Sequence, residues 1–190
     1  VNERIGILGG AFDPPHFGHL ILAEQALDQL KLDHVLFVPS FQPPQNHKSI
    51  TTPFDQRCEM LDLALEPSDK FKLSRVEENL EPPTYTVRML EAINSQQPEA
   101  SLFFLMGADS LEQLNTWFRP EELQKRAEIV VARRPGSSPG QKAAITWLDM
   151  PLIEISASKL RARVRSGRSI RFLVPDIVID YITRCGLYLD

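Results

Sequence analysis

Two histidines stand one helical turn apart in the stretch ILGGAFDPPHFGHLILAEQAL, which runs from Ile7 to Leu27. His16 and His19 follow an apolar run that ends in Gly9 and Gly10, and they precede a pattern of helical spacing. Imidazoles at such a place can donate hydrogen bonds, neutral or cationic near neutral pH. The double glycine would let the backbone turn tightly and a bulky anion come close. A helix from about Gly18 onward would aim free amides and its positive dipole end at the same space. Together these parts make a receiver for a polyphosphate. Two other readings compete with it. The histidines could be satisfied polar residues at a helix start, or they could ligate a metal with Asp13. No further His or Cys cluster completes a typical metal site. Neither GxxxxGK[ST] nor GxGxxG occurs, so the two familiar phosphate loops are absent.

Strands and helices have to hold these groups, and the chain alternates them from end to end. RIGILGG (4–10) reads as a buried strand and FGHLILAEQALDQLK (17–31) as an amphipathic helix. HVLFVP (34–39) is strand-like, FDQRCEMLDLAL (54–65) helical, and FKLS (71–74) a short strand. TYTVRMLEAIN (84–94) reads as a helix that Thr84 or Thr86 could cap. SLFFLMG (101–107) and EIVVARR (128–134) read as strands around a short helix at 121–127. LIEIS (152–156) is expected to be the last strand. Two helices follow, one ended by Gly167 and one opened by Pro175. The Pro-, Gly- and Ser-rich stretches SFQPPQNHKSITTP and RPGSSPGQK are expected to be flexible loops. The expected fold is α/β: one doubly wound, Rossmann-like parallel sheet with helices on both faces and a C-terminal helical segment. The domain is expected to span 1–190, with its helical part at about 156–190. Folds of this class bind ligands beyond the carboxyl ends of the strands, near a topological switch point.

A chain of 190 residues can bury one full core. Its net charge of −4 gives no electrostatic footprint for general nucleic-acid binding, though a local basic pocket fits. Cys58 and Cys185 are distant and form no CxxC, which suggests a reducing compartment. No apolar run has the length of a signal peptide or a membrane span. The expectation is a cytoplasmic protein that needs neither membrane nor nucleic acid. A homo-oligomer stays open.

Several residues have two physical readings. Ser156 and Ser158 bracket a strand-to-helix step, where hydroxyls and amides could hold phosphate oxygens, with Arg161 about one turn on. Alternatively one serine only caps the helix and the arginines form a solvated face, the reading preferred for Arg163 and Arg165. Trp117 could be partly buried core or a stacking platform. Asp109 could cap a helix or contact a ligand. Lys48 and Arg57 could be surface cations. Neither cysteine lies near the constellation in sequence, so neither is a candidate for a covalent intermediate.

GGAFDPPHFGHL resembles the HxGH signature of the nucleotidyltransferase superfamily, and the whole dodecamer is similar to that of bacterial nicotinate-nucleotide adenylyltransferases. Later segments resemble that family in order: VPSFQPPQNHK, RCEML, PPTYTVRML, MGADSLEQLNTWF, VVARRPG, ISASKLRARVRSG and LVPDIVIDYITRCGLY. The resemblance implies transfer of the adenylyl group of ATP to nicotinate mononucleotide, giving deamido-NAD and pyrophosphate. It implies His16 and His19 as the catalytic pair. ATP would be bound by Gly9, Gly10, Ala11, Phe12, both histidines, Ser156, Ser158 and Arg161. The mononucleotide would be bound by Lys48, Tyr85, Thr86, Asp109, Trp117 and Arg134, with Trp117 stacked on the pyridine ring. Mg²⁺ would be carried mainly by the ATP phosphates, with no protein ligand. The chain departs from the family at Ala11, where Thr is usual, and at Gln45 and Asn46, which displace His47 and Lys48. Ser158 and Leu160 are milder swaps. Sister activities on nicotinamide mononucleotide or phosphopantetheine, or a non-catalytic nucleotide sensor, are the rivals.

Overall fold

Dense apolar strands need cover on both faces, and the observed fold supplies it. The structure, a computed structural model, describes residues 2–44, 50–133, 145–151 and 153–189. Its strands are β1 (Arg4–Gly10), β2 (His34–Pro39), β3 (Phe71–Leu73), β4 (Ser101–Gly107), β5 (Glu128–Arg133) and β6 (Ile145–Asp149). They form one sheet in the order β3-β2-β1-β4-β5-β6, with every pairing parallel. The helices are α1 (Phe17–Leu30), α2 (Phe54–Leu65), α3 (Thr86–Gln96), α4 (Ala108–Gln113), α5 (Pro120–Arg126), α6 (Ala157–Arg165) and α7 (Asp176–Cys185). This is the doubly wound strand order, as expected from the sequence, and its switch point lies between β1 and β4.

Alternation along each strand feeds two cores. Leu102, Phe104 and Met106 of β4 pack with α3 and α5 through Leu90, Ile93 and Leu123. Phe103 and Leu105 point the other way, to α1 and α2 through Ala23, Leu27, Leu61 and Leu65. A fully buried side chain of this kind is worth about 1.5–3 kcal/mol. The adjoining side of α2 offers Met60 and Ala64 to a third core, with Leu160 of α6 and Val178, Tyr181 and Ile182 of α7. That packing fixes α6 against the body of the fold. Its C-terminus closes by hydrogen bonds from Gly167 to Val164 and from Arg168 to Arg163, with Gly167 at φ +66, where a side chain would be strained.

Two expectations are corrected. Residues 153–156 form no strand, and the sixth strand is Ile145–Asp149. As an edge strand paired only with β5 and mostly half-exposed, it lacks the dense apolar run of an inner strand. Ile153 and Ile155 are apolar for another reason: they line a cavity. Neither Thr84 nor Thr86 caps α3, whose N-cap is Tyr85 without a side-chain cap bond. The Thr84 hydroxyl is instead donated to Glu77. Among the described residues no helix is long and apolar enough to cross a membrane. Cys58 is buried, Cys185 exposed, and both thiols are free.

Candidate active site

Gly9 and Gly10 are the last residues of β1, so they do not make the turn as the sequence suggested. Phe12 makes it, at φ 49, followed by a cis Asp13–Pro14 peptide. The Phe12 side chain is 1% exposed and belongs to the core, so only its backbone can meet a ligand. The glycines contribute a bare floor, and Gly9 borders both cavities described below.

Buried polar groups lock this turn. Asp13 is fully buried. Its Oδ2 accepts from the Thr51 amide at 2.7 Å and the Thr52 amide at 3.3 Å, and its Oδ1 from the Tyr188 hydroxyl at 2.6 Å. Arg161 Nη1 donates to the Asp13 carbonyl at 2.7 Å. Burial pushes the Asp13 carboxyl up, but the Thr51 amide, Thr52, Tyr188 and Arg161 outweigh it, and the group ends below the usual carboxylate range. With its oxygens so engaged, Asp13 is no metal ligand. Arg57 is not a surface cation either. It is 1% exposed and donates to three carbonyls, those of Thr52 at 3.1 Å, Ala11 at 2.7 Å and Ser40 at 2.8 Å. Desolvation lowers its pKa, opposed chiefly by Asp13.

The two imidazoles stack, with centroids 3.6 Å apart and planes 17° apart. The backbone N–H of His16 donates to His19 Nδ1 at 3.2 Å. That bond assigns the neutral His19 tautomer: Nε2 carries the proton and is a donor. His16 is 6% exposed, and its Nδ1 has no hydrogen-bond partner among the described residues. Gly18 permits this ring position, because a Cβ there would lie 3.0 Å from His16 Nδ1. Burial pushes the His16 pKa down to about 4. Burial, then the neighbouring His16, holds His19 well below its ordinary value. Both rings are therefore neutral at pH 7 in the free protein, which narrows the sequence-based choice between neutral and cationic.

Two adjoining cavities open at the carboxyl ends of β1 and β4. One, of about 320 Å³, is lined by His16, His19, Met106, Asp109 and Ile155. The other, of about 750 Å³, is lined by Ser40, Glu77, Tyr85, Thr86 and Phe118. They share Gly9, Phe104, Ser110 and Trp117. Trp117 is half-buried, edge-on to Phe104 with centroids 6.2 Å apart, so it is both core and wall. Tyr85 stacks on Phe118 with centroids 4.3 Å apart. Asp109 lies in the first turn of α4, but the N-cap is Gly107.

At the mouth of α6, Ser156 and Ser158 pair their hydroxyls at 2.9 Å, and Ser156 makes no side-chain cap bond. The preceding Ile155 would lie 3.9 Å from a Cβ on Gly18, so α6 begins beside the histidine turn. Arg161, expected at the phosphates, donates its Nη1 to the Asp13 carbonyl at the same turn. Arg133 pairs with Asp149. Lys48 and Arg134 lie outside the described residues, as do His47, the centre of the first stretch expected as a loop (45–49) and all of the second (134–142). Sequence reasoning missed the bracing roles of Asp13, Arg57, Glu77 and Tyr188. Arg57 carried a signal, a charge three residues after Phe54 beside an apolar stripe. Tyr188 lies 175 residues from its partner and carried none.

The cytidylyltransferase-like family model matches residues 7–163. A protein of Exiguobacterium sibiricum bearing the name nicotinate-nucleotide adenylyltransferase is 43% identical over 187 residues, 97% of this chain and 98% of the relative. One of Thermomicrobium roseum with the same name is 42% identical over 196 residues, 98% of this chain and 92% of the relative. Among solved structures, the nicotinic acid mononucleotide adenylyltransferase of Plasmodium falciparum complexed with NaAD superposes with a TM-score of 0.83 at 22% identity, covering 98% of each chain.

Proposed function

Because the chain belongs to the cytidylyltransferase-like family, and within it to the nicotinate-nucleotide adenylyltransferases, we propose that it transfers the adenylyl group of ATP to nicotinate mononucleotide, forming deamido-NAD and pyrophosphate. The observation that carries this reading is the pair of cavities meeting at Gly9 and Trp117, with the stacked imidazoles on one of them. Two nucleotides laid end to end would meet there. In this reading one domain, 1–190, does the work, and its helical part from about 156 supplies the second phosphate-binding edge. It acts on small nucleotides in the cytoplasm.

The chemistry asks little of the protein beyond alignment and charge. The mononucleotide phosphate is already an anion, so no general base is required. One of its oxygens forms a bond to the α-phosphorus of ATP in line, and the α–β bridging bond breaks. Pyrophosphate leaves with the electron pair. Two polyanions repel each other, and holding them in line is worth up to about 7–11 kcal/mol in well-oriented systems. His19 Nε2–H and the His16 ring serve as donors at the α- and β-phosphates. The amides at the start of α6, with Ser156, Ser158 and Arg161, take the remaining phosphate charge. Adenosine occupies the cavity of Met106 and Ile155, and Asp109 faces a ribose. The pyridine ring stacks on Trp117. The start of α3, at Tyr85 and Thr86, offers amides and a positive dipole end to the ring carboxylate, which favours the acid over the amide. Lys48 and Arg134 complete the mononucleotide set.

No three His, Cys, Asp or Glu side chains converge as a metal cage among the described residues. A triphosphate supplies its own oxygen ligands, so the donor set fits Mg²⁺ that enters on ATP. Bound there, Mg²⁺ neutralises phosphate charge.

Pyrophosphate release with ATP and each of three acceptors tests the reading. Nicotinate mononucleotide is expected to react at least about 10-fold faster than nicotinamide mononucleotide, since the amide loses a charge-assisted contact at α3. Phosphopantetheine is expected to give no release. A preference for either alternative, or ATP binding without release, contradicts the assignment.

A further inference from the structure

Glu77 is a buried acid that the transfer chemistry does not use. It lies in a 3₁₀ turn, Val76–Asn79, is 6% exposed, and borders the larger cavity. Its Oε2 accepts from the Phe41 amide at 2.9 Å and from the Thr84 hydroxyl at 2.7 Å. Thr84 completes a stitch between the same two segments. The Gln42 amide donates to Thr84 Oγ1 at 3.3 Å, and the Thr84 amide to the Gln42 carbonyl at 2.8 Å. From below, Arg57 holds the Ser40 carbonyl at 2.8 Å and the Ala11 carbonyl at 2.7 Å. The segment after β2 is therefore pinned from two sides, to the turn after β1 and to the approach of α3.

These segments are two neighbouring walls of the cavity: Ser40, Pro43 and Pro44 belong to one, Thr84, Tyr85 and Thr86 to the other. We propose that Glu77 is a positioning residue that sets the spacing of these walls, and with it the fit of the mononucleotide. The inference rests on the adenylyl-transfer reading above, since it takes this cavity to be the mononucleotide's. Removing a carboxylate from water is costly unless donors replace the lost hydration. Burial does push the Glu77 carboxyl up, against the pull of Thr84, Phe41 and Arg57. An apolar residue would avoid that cost but could not accept from both walls at once. Because Tyr85 follows Thr84 directly, the same bond fixes where the amides at the start of α3 point. The smaller cavity, with the histidine pair, does not include Glu77. Its influence should therefore fall on one substrate and not on the other.

Steady-state pyrophosphate release by the full chain tests this, with each substrate varied in turn. For Glu77→Ala the mononucleotide KM is expected to rise at least about 10-fold, the size of one lost charge-assisted hydrogen bond. The ATP KM should stay within about 2-fold and kcat within about 3-fold, as expected when only one substrate's contacts are disturbed. Glu77→Gln keeps an acceptor and should recover most of the mononucleotide KM. Should Glu77→Ala fail to fold, Thr84→Val removes one donor of the stitch and should show the same split. Equal rises in both KM values, an unchanged mononucleotide KM, or a Gln variant as damaged as the Ala variant overturns the inference. A wild-type chain that turns over while the variants show no split contradicts the role of Glu77 alone. A wild-type chain that releases no pyrophosphate overturns the functional reading and this inference together.

Discussion

His19→Ala is expected to keep the fold and to lower kcat by at least about 100-fold, the usual cost of one preorganised donor at developing phosphate charge. His19 Nδ1 is occupied by the His16 amide, so its Nε2 proton is the one the ring can offer. The ring is half-buried and stacked on His16, so little conformational freedom is lost when phosphate arrives. Both imidazoles start neutral because burial disfavours their charged forms. A triphosphate placed beside them would favour the charged form of His16, whose Nδ1 has no partner among the described residues, whereas His19 Nδ1 already accepts the His16 amide. ATP binding at pH 6 should therefore take up protons in the wild type. Calorimetry in buffers of different ionisation enthalpy reads that uptake. A variant with near-normal turnover would remove His19 from the mechanism.

Asp13→Ala is expected to lose at least about 3 kcal/mol of stability at pH 7, the scale for removing one partner of a buried charged network. The Thr51 and Thr52 amides and the Tyr188 hydroxyl would lose their common acceptor. Arg57 and Arg161 would lose a nearby negative charge. The pH dependence has a definite sign. The folded Asp13 carboxyl sits below its ordinary value of 3.8. Its stabilisation is therefore fully present above about pH 4 and is lost as pH falls through the folded value. The gap between wild type and variant should be wide at pH 7 and narrow in strong acid. Denaturant unfolding at both pH values measures it. A gap below about 1 kcal/mol at pH 7, or one that ignores pH, would mean that Asp13 is not the keystone of the turn.

The inner strands were legible because burial on both faces leaves an unbroken apolar run, as in SLFFLMG and HVLFVP, both of which form strands over the residues read. The histidine motif was legible because unusual residues crowd a short stretch. β6 was not, since an edge strand with Thr146, Trp147 and Asp149 resembles a loop, while the cavity-lining Ile153 and Ile155 imitate a strand. The long-range polar braces were the least legible. Asp13 meets Tyr188, and Arg57 meets Ala11 and Ser40, only after the sheet has wound and α7 has docked on α2. A lone Asp or Arg in a sequence carries no mark of such partners. Gly9 and Gly10 mislead in a different way: their value is the side chain they lack beside the cavities, while Phe12 takes the strained turn position.

A crystal structure of the protein with bound deamido-NAD tests the central claim most directly, that two nucleotides meet end to end across the switch point of the sheet. The account predicts the dinucleotide's diphosphate bridge over Gly9 and within hydrogen-bond reach of His16 and His19, the adenine beside Met106 and Ile155, and the pyridine ring on Trp117. A diphosphate away from the imidazoles, or a pyridine ring outside the cavity of Tyr85 and Trp117, would contradict it.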